Sequence, residues 1–247
     1  MRFKSNAFVP FLVLGDPTYE RSLSYLKALA DGKASALELG FAFSDPIADG
    51  PIIQAANHRA LAAGITTKKS LELLAQLRKY SDIPISIMAS GNIVLQYGIA
   101  KFYAELARLK IDALLCPDIP LEEIEEYLAA AKKYGVHQVA MVAPTTDDRR
   151  LALMKRFASG YVYLVSLKGT TGSRGRFDKD LAILIERAKK TLGLPVYVGF
   201  GISSAEDVKK VLSLGADGAI CGSAIVKLVS DGKSPSEITR FVSEMID

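Results

Sequence analysis

Short apolar segments alternate along the chain with longer segments in which apolar residues recur every three or four positions. The first pattern predicts buried β-strands and the second predicts amphipathic helices, so the chain is a succession of strand–helix units. The predicted strand segments are FVPFLVLG from Phe8, SALELG from Ser35, IPISIMA from Ile83, DALLCPD from Asp112, QVAMVAP from Gln138, YVYLVS from Tyr161, PVYVGFG from Pro195 and DGAICGS from Asp217.

The segments between the predicted strands carry the signals of helix starts and ends. In LEEIEEYLAAAKKYG, Leu121, Ile124 and Leu128 form one apolar stripe, and two lysines precede a glycine that would end the helix. SSAEDVKKVLSLG has serine at its start, acids in the first turn, lysines later and Gly215 as its stop.

About eight such units within 247 residues predict an α/β protein with a (β/α)8 TIM barrel, formed as a single domain over residues 1–247. The alternative is a doubly wound open sheet. That fold would place a GxGxxG motif after the first strand, and no such motif is found there, so the barrel is favoured.

Charge and composition narrow the class of protein. Lysine and arginine number 31 against 27 acidic residues, and the net charge of +4 is spread along helical segments. This distribution argues against nucleic-acid binding and membrane binding, and it is compatible with a small anionic substrate. No segment has the length of a membrane span and the first residues lack the layout of a signal peptide, so we expect a cytoplasmic protein.

The sequence offers few residues for a metal site or for histidine-based catalysis. Cys116 and Cys221 lack the paired spacing of metal ligands, and we expect them to be buried free thiols. His58 and His137 are the only histidines. We therefore predict no metal site, and we assign acid–base chemistry to carboxylates and tyrosines.

Glu38 is a candidate general acid and base because it lies within an apolar strand. Leu37 and Leu39 would face the helices outside the barrel, which directs Glu38 inward. A buried carboxylate has a raised pKa, as an acid–base group near neutral pH requires. The alternative is a structural ion pair. Asp49, in the loop sequence DPIADGP, is a second candidate, but aspartates in such loops as often only cap a turn.

Three glycine-rich segments lie at the ends of the last three predicted strands: KGTTGSRG follows the sixth, VGFGISS closes the seventh and ICGSAIVK closes the eighth. Loops at these places in a barrel often bind phosphate with backbone N–H groups. Gly201, Gly222 and Ser223 are therefore candidates for binding a phosphate group.

Several segments resemble, in order, the signature segments of the tryptophan synthase alpha subunit family. They are FVPFLVLGDP, ALELGFAFSDPIADGPIIQAANHRAL, YLVSLKGTTGSRG, VGFGISS and GSAIVK, and the resemblance covers almost the whole chain. It implies a barrel that cleaves indole-3-glycerol phosphate into indole and glyceraldehyde 3-phosphate without cofactor or metal. It also implies an α2β2 complex with a beta subunit that carries pyridoxal phosphate.

The resemblance assigns roles to individual residues. Glu38 matches the catalytic glutamate, Asp49 the second catalytic acid, and Tyr163 a tyrosine that lines the same site. The remaining matches are Gly172, Gly201, Gly222 and Ser223 for phosphate binding, Phe11 and Phe200 for the walls of the indole pocket, and Thr171 for the lid.

The chain departs from the family pattern at two positions near the expected site. Ala42 stands where many members have proline, and Ser90 stands where they have an aromatic residue; Pro117 is a further local oddity. Two alternatives to the alpha-subunit role therefore remain. One is a lyase that acts alone and releases indole, and the other is a subunit with weakened catalysis that mainly binds and activates the beta subunit.

Overall fold

The structure is a computed structural model that describes residues 2–47, 49–165, 174–199 and 201–246. Its strands are β1 (Ala7–Val13), β2 (Leu37–Gly40), β3 (Ile85–Met88), β4 (Ala113–Leu115), β5 (His137–Gln138), β6 (Ala140–Val142), β7 (Val162–Val165), β8 (Val196–Gly199) and β9 (Gly218–Cys221). Its α-helices are α1 (Tyr19–Asp31), α2 (Pro51–Ala62), α3 (Thr67–Tyr80), α4 (Gly91–Tyr97), α5 (Ile99–Arg108), α6 (Glu125–Tyr134), α7 (Asp148–Met154), α8 (Arg174–Leu192), α9 (Ala205–Ser213), α10 (Ser223–Ser230) and α11 (Pro235–Glu244).

The strands form a parallel barrel. Their order is β5-β4-β3-β2-β1-β9-β8-β7-β6, and every pair of neighbours is parallel. The two end strands, β5 and β6, are separated only by Val139, so the chain itself closes the ring. The predicted TIM barrel is thus confirmed.

Each of the eight predicted strand segments overlaps a strand, and the fifth includes the last residue of β5 and all of β6. β5 bonds to β4 on one side and β6 bonds to β7 on the other, so the segment changes partner at Val139. The Val139 N–H still donates to the Leu114 carbonyl at 2.9 Å. Closure of a barrel requires the strands to be staggered, and the change of partner at Val139 lets one segment pair with both β4 and β7.

The strands are buried on both faces, which explains their continuous apolar character. All seven residues of β1 are buried, because one face contacts the barrel interior and the other contacts the surrounding helices. Cys116 and Cys221 are buried free thiols, as expected. No helix in the described residues is long and apolar enough to cross a membrane.

The predicted helix signals are confirmed with one difference. Ser204 caps α9 through a reciprocal capping box with Asp207, and Gly135 ends α6 in the left-handed conformation with φ of 70°. The segment from Leu121, however, begins as a 3-10 turn over Leu121–Glu123, and α6 starts only at Glu125. Pro120 immediately precedes that turn, and no side chain caps α6.

Candidate active site

A cavity of about 290 Å³ lies on the flank of the barrel, whereas a larger one of about 670 Å³ opens at the carboxyl ends of the strands. The larger cavity is the candidate site because it contains most of the residues selected from the sequence. Those on its wall are Phe11, Glu38, Asp49, Tyr163, Gly201, Gly222 and Ser223. Thr171, Gly172 and Phe200 lie outside the described residues, so their predicted roles stay predictions.

Glu38 lies within β2, where the strand register places it beside Phe11 of β1 and Ser86 of β3. Its side chain is fully buried. The Tyr161 hydroxyl oxygen lies 3.0 Å from Glu38 Oε1 and 2.9 Å from Ser86 Oγ, so this hydroxyl can donate to the carboxyl group. Glu38 Oε2 has no hydrogen-bond partner among the described residues. One oxygen is therefore held from the barrel interior while the other is left for chemistry.

Burial raises the pKa of Glu38 from its usual 4.5 to about 8. The hydrogen bond from Tyr161 lowers this pKa, and the nearby charge of Asp49 raises it, but the loss of hydration is the largest cause. Within the described residues, no lysine or arginine is in ion-pair contact with Glu38. The structure thus favours an acid–base group over the structural ion pair.

Asp49 is held above the cavity by Asn57, a buried residue of α2. The Asn57 side-chain amide donates to Asp49 Oδ2 at 3.4 Å, and its carbonyl oxygen accepts from the Phe43 N–H at 2.9 Å. This bridge fixes the loop to the helix that follows it. Burial raises the pKa of Asp49 from 3.8 to about 6, and the hydrogen bond from Asn57 partly offsets that rise.

The two carboxyl groups are consequently prepared for different tasks. At neutral pH, a group with a pKa of about 8 is mostly protonated and one with a pKa of about 6 is mostly ionised. Pairs of acids whose environments separate their pKa values are typical of sites that need an acid and an anion side by side.

Two glycines make room for the aromatic walls of the cavity. A Cβ at Gly199 would clash with the Tyr163 hydroxyl, and one at Gly40 would lie 2.9 Å from the Phe11 ring. Burial, followed by the charges of Glu38 and Asp49, raises the pKa of Tyr163 well above its usual value. Tyr163 therefore stays protonated and can donate a hydrogen bond.

The opposite end of the cavity is formed by the start of α10. Gly222 is its N-cap residue and Ser223 its first residue, and neither backbone N–H has a partner within the helix. The N–H groups of Ala224 and Ile225, in contrast, donate to the Cys221 sulfur. Gly222 has φ of −102°, and a Cβ there would lie 3.7 Å from Phe11 and 3.8 Å from Ile53, at ordinary contact distance. The protein itself thus has room for a side chain at this position. Gly201, in contrast, has φ of 75°, which by itself favours glycine.

Sequence reasoning missed several residues that shape the site. Tyr161, Ser86 and Asn57 position the two acids, and Met88 and Met141 provide apolar wall. The methionines lie at or near the carboxyl ends of β3 and β6, a signal that could have identified them.

A second chamber of about 420 Å³ adjoins the cavity on the side of Asp49. The two share Phe11, Asp49, Met88 and Pro117, and the chamber continues to Ser90. Ser90 and Pro117, both singled out from the sequence, thus lie at the site's edge. In the described residues, no three histidine, cysteine or acidic side chains are grouped so as to hold a metal ion.

Comparisons with known proteins identify relatives over nearly the whole chain. Residues 1–245 match the family model of the tryptophan synthase alpha chain. The tryptophan synthase alpha chain of Methanothermobacter thermautotrophicus is 44% identical over 232 residues, which cover 94% of this chain and 86% of that protein. That of Actinobacillus succinogenes is 45% identical over 246 residues, covering 97% and 91%. A solved structure of the tryptophan synthase α2β2 complex from Pyrococcus furiosus contains a chain that is 38% identical, with a TM-score of 0.91 and 99% coverage of both chains.

Proposed function

The chain belongs to the tryptophan synthase alpha chain family, and from this premise we propose how its residues carry out the family's reaction. The protein is a lyase of tryptophan biosynthesis that cleaves indole-3-glycerol phosphate into indole and glyceraldehyde 3-phosphate. The observation that carries the residue assignments is a fully buried Glu38 on the wall of a cavity that also contains Asp49 and the start of α10.

Glu38 moves the protons of the reaction. The protonated carboxyl group first donates its proton to the ring carbon that bears the glycerol chain. Since Oε1 accepts from Tyr161, Oε2 is the oxygen that carries this proton. The resulting carboxylate then removes the proton from the hydroxyl group on the adjacent chain carbon. The carbon–carbon bond breaks as the aldehyde forms, its electron pair returns to the ring, and Glu38 regains its proton.

Asp49 stabilises the intermediate charge. Protonation of the ring carbon places positive charge on the ring nitrogen, and an ionised carboxylate next to that N–H lowers the energy of this state. Its pKa of about 6 keeps Asp49 ionised at neutral pH. Asn57 holds the carboxylate in place, so little reorganisation is needed when the charge develops.

The rest of the cavity orients the substrate. The phosphate group binds at Gly222, Ser223 and Gly201, where backbone N–H groups of the first turn of α10 favour an anion. The indole ring lies toward Phe11 and Tyr163, whose aromatic faces suit a flat apolar ring. The roles predicted from the family resemblance for Gly172 in phosphate binding, Phe200 in the ring wall and Thr171 in a lid concern residues outside the described ranges and stay predictions. This mechanism requires no cofactor or metal in this chain.

The partner is a tryptophan synthase beta subunit, in an α2β2 complex like that of the Pyrococcus furiosus relative. On this proposal, pyridoxal phosphate belongs to the beta subunit, which takes up the indole. The loop that carries Asp49 also presents Ile47, which is 91% exposed. Such an exposed apolar side chain on a catalytic loop suits a surface that is covered by a partner.

Cleavage assays with the purified chain, with and without a beta subunit, test this function. We expect slow indole release by the chain alone and faster release with the partner. A Gly222→Ala variant should fold normally, because the added methyl group meets only ordinary contacts, but it should bind glycerol phosphate more weakly. Full activity without any response to the partner would instead identify a lyase that acts alone. A partner response without cleavage would identify a binding subunit.

A further inference from the structure

Lys227 lines the cavity but has no role in the proposed mechanism. Of the cavity-lining residues in the described ranges, Glu38 and Asp49 are acidic and Lys227 alone is basic. The substrate's phosphate group carries between one and two negative charges at neutral pH. Backbone N–H groups at a helix start supply only partial positive charge, so a full positive charge at this end of the cavity would add to binding.

The helix geometry puts the phosphate end of the cavity within reach of Lys227. Lys227 lies four residues after Ser223 on α10, which places both residues on the same face of the helix. Long side chains in a helix lean toward the helix N-terminus. The lysine side chain can therefore reach back along α10 toward Gly222 and Ser223.

In the structure, Lys227 is paired in the opposite direction with Asp231. Its Nζ lies 3.0 Å from Asp231 Oδ2, and the two side chains are 63% and 47% exposed. The pair is weak for three reasons. Water screens it, a lysine that precedes its acid is the less favourable order, and Asp231 stands at the C-cap, where the helix dipole disfavours negative charge.

We infer that Lys227 is a further substrate-binding residue, whose ammonium group leaves Asp231 and pairs with the substrate's phosphate group. This inference rests on the proposed phosphate site at Gly222 and Ser223. A phosphate with more than one charge, next to the positive end of α10, competes well against a solvent-exposed aspartate. Asp231 holds the lysine when the site is empty and so slightly weakens binding.

Three single variants test this exchange of partners: Lys227→Gln, Asp231→Asn and the control Lys233→Gln. Lys233 pairs with Glu237 at 3.0 Å with the same four-residue spacing, but it is not among the cavity-lining residues. The measurements are KM and kcat for indole-3-glycerol phosphate and the inhibition constant of glycerol phosphate. Each is measured at low salt and in about 0.5 M NaCl, where salt screens exposed charges.

Lys227→Gln should raise KM and the inhibition constant about 3- to 10-fold at low salt, the effect of one partly screened charge pair, with kcat nearly unchanged. The effect should shrink in high salt. Asp231→Asn should lower both constants, and Lys233→Gln should change neither.

Equal inhibition constants for Lys227→Gln and Lys233→Gln at low salt would overturn the inference, as would weaker binding in Asp231→Asn. Gly222→Ala separates this failure from that of the proposed function. If Gly222→Ala weakens glycerol phosphate binding and Lys227→Gln does not, the phosphate site stands and the lysine is not part of it. If neither variant weakens binding, the phosphate site itself is wrongly placed.

Discussion

Replacing Glu38 with glutamine removes the proposed acid–base group, but it should make the protein more stable than the parent. This advantage in stability should grow as the pH rises. In the folded state the pKa of Glu38 is about 8, against 4.5 for an exposed glutamate. A raised folded pKa means that the folded protein holds the proton longer than the unfolded chain does. Its contribution to stability is therefore fully present below pH 4.5 and is lost as the pH rises toward 8.

The size of the effect follows from these two pKa values. At about 1.36 kcal/mol for each pKa unit, the difference corresponds to about 5 kcal/mol of lost unfolding free energy in the parent. Glutamine has no proton to lose, so the variant avoids this loss. For a chain of this length, about 1 kcal/mol moves the thermal midpoint by roughly 2–4 °C. The advantage of Glu38→Gln should thus grow by about 10 °C or more between pH 5 and pH 9.

Thermal unfolding followed by circular dichroism at several pH values measures this advantage. Glu237→Gln provides a control of opposite sign, because hydrogen bonds from Ser234 and the contact with Lys233 lower the pKa of Glu237 to about 2. That variant should be less stable than the parent at neutral pH and should approach it as the pH falls below 4.5 toward 2. A midpoint difference between Glu38→Gln and the parent that stays constant from pH 5 to pH 9 would refute a strongly raised pKa.

Three further variants and one control variant test the surroundings of Glu38 and the partner surface. Asp49→Asn should lower kcat about 100-fold with a smaller effect on KM, and it should shift the basic limb of the pH–rate profile downward, since the charge of Asp49 raises the pKa of Glu38. Tyr161→Phe should shift that limb upward, because the parent's hydrogen bond from Tyr161 lowers the pKa of Glu38 and its loss lets this pKa rise. The control Tyr197→Phe removes a hydroxyl that donates to the Lys4 carbonyl at 2.7 Å, and it should leave the limb in place. Ala42→Pro should strengthen the reciprocal coupling between glycerol phosphate and the beta subunit, by which each ligand raises the affinity for the other, typically by roughly 5- to 150-fold. Calorimetric titration of the beta subunit with and without glycerol phosphate measures this factor. Partner affinity that is independent of glycerol phosphate in both proteins would contradict a coupled loop.

The barrel could be predicted because its signal is repeated along the whole chain. Each strand is a short apolar segment and each helix has its own period, so a local error at the fifth strand did not change the architecture. The inward direction of Glu38 was visible for the same reason, since alternation along β2 decides it locally.

The support of the two acids could not be predicted, because it depends on contacts between distant segments. Tyr161 lies 123 positions from Glu38 in sequence and 75 from Ser86, and only the strand register brings the three together. The burial of Asp49 depends likewise on Asn57 from the following helix. A pattern of residue types along the chain carries no information on such pairs.

The glycines show a further limit of sequence reasoning. Gly201 and Gly222 were selected for the same reason, but only Gly201 has a positive φ that favours glycine, whereas Gly222 has a conformation open to any residue. The functional interpretation is therefore stronger for Gly222, a distinction that depends on backbone angles.

The central claim is that Glu38 transfers the protons of carbon–carbon cleavage, and turnover by Glu38→Gln tests it most directly. The variant keeps the shape of the side chain and loses its titratable proton. We predict at least a roughly 100-fold lower rate of indole formation from indole-3-glycerol phosphate, with glycerol phosphate binding retained. Indole formation at close to the parent rate by the folded variant would contradict the claim, since Glu38 would then be only a buried structural residue.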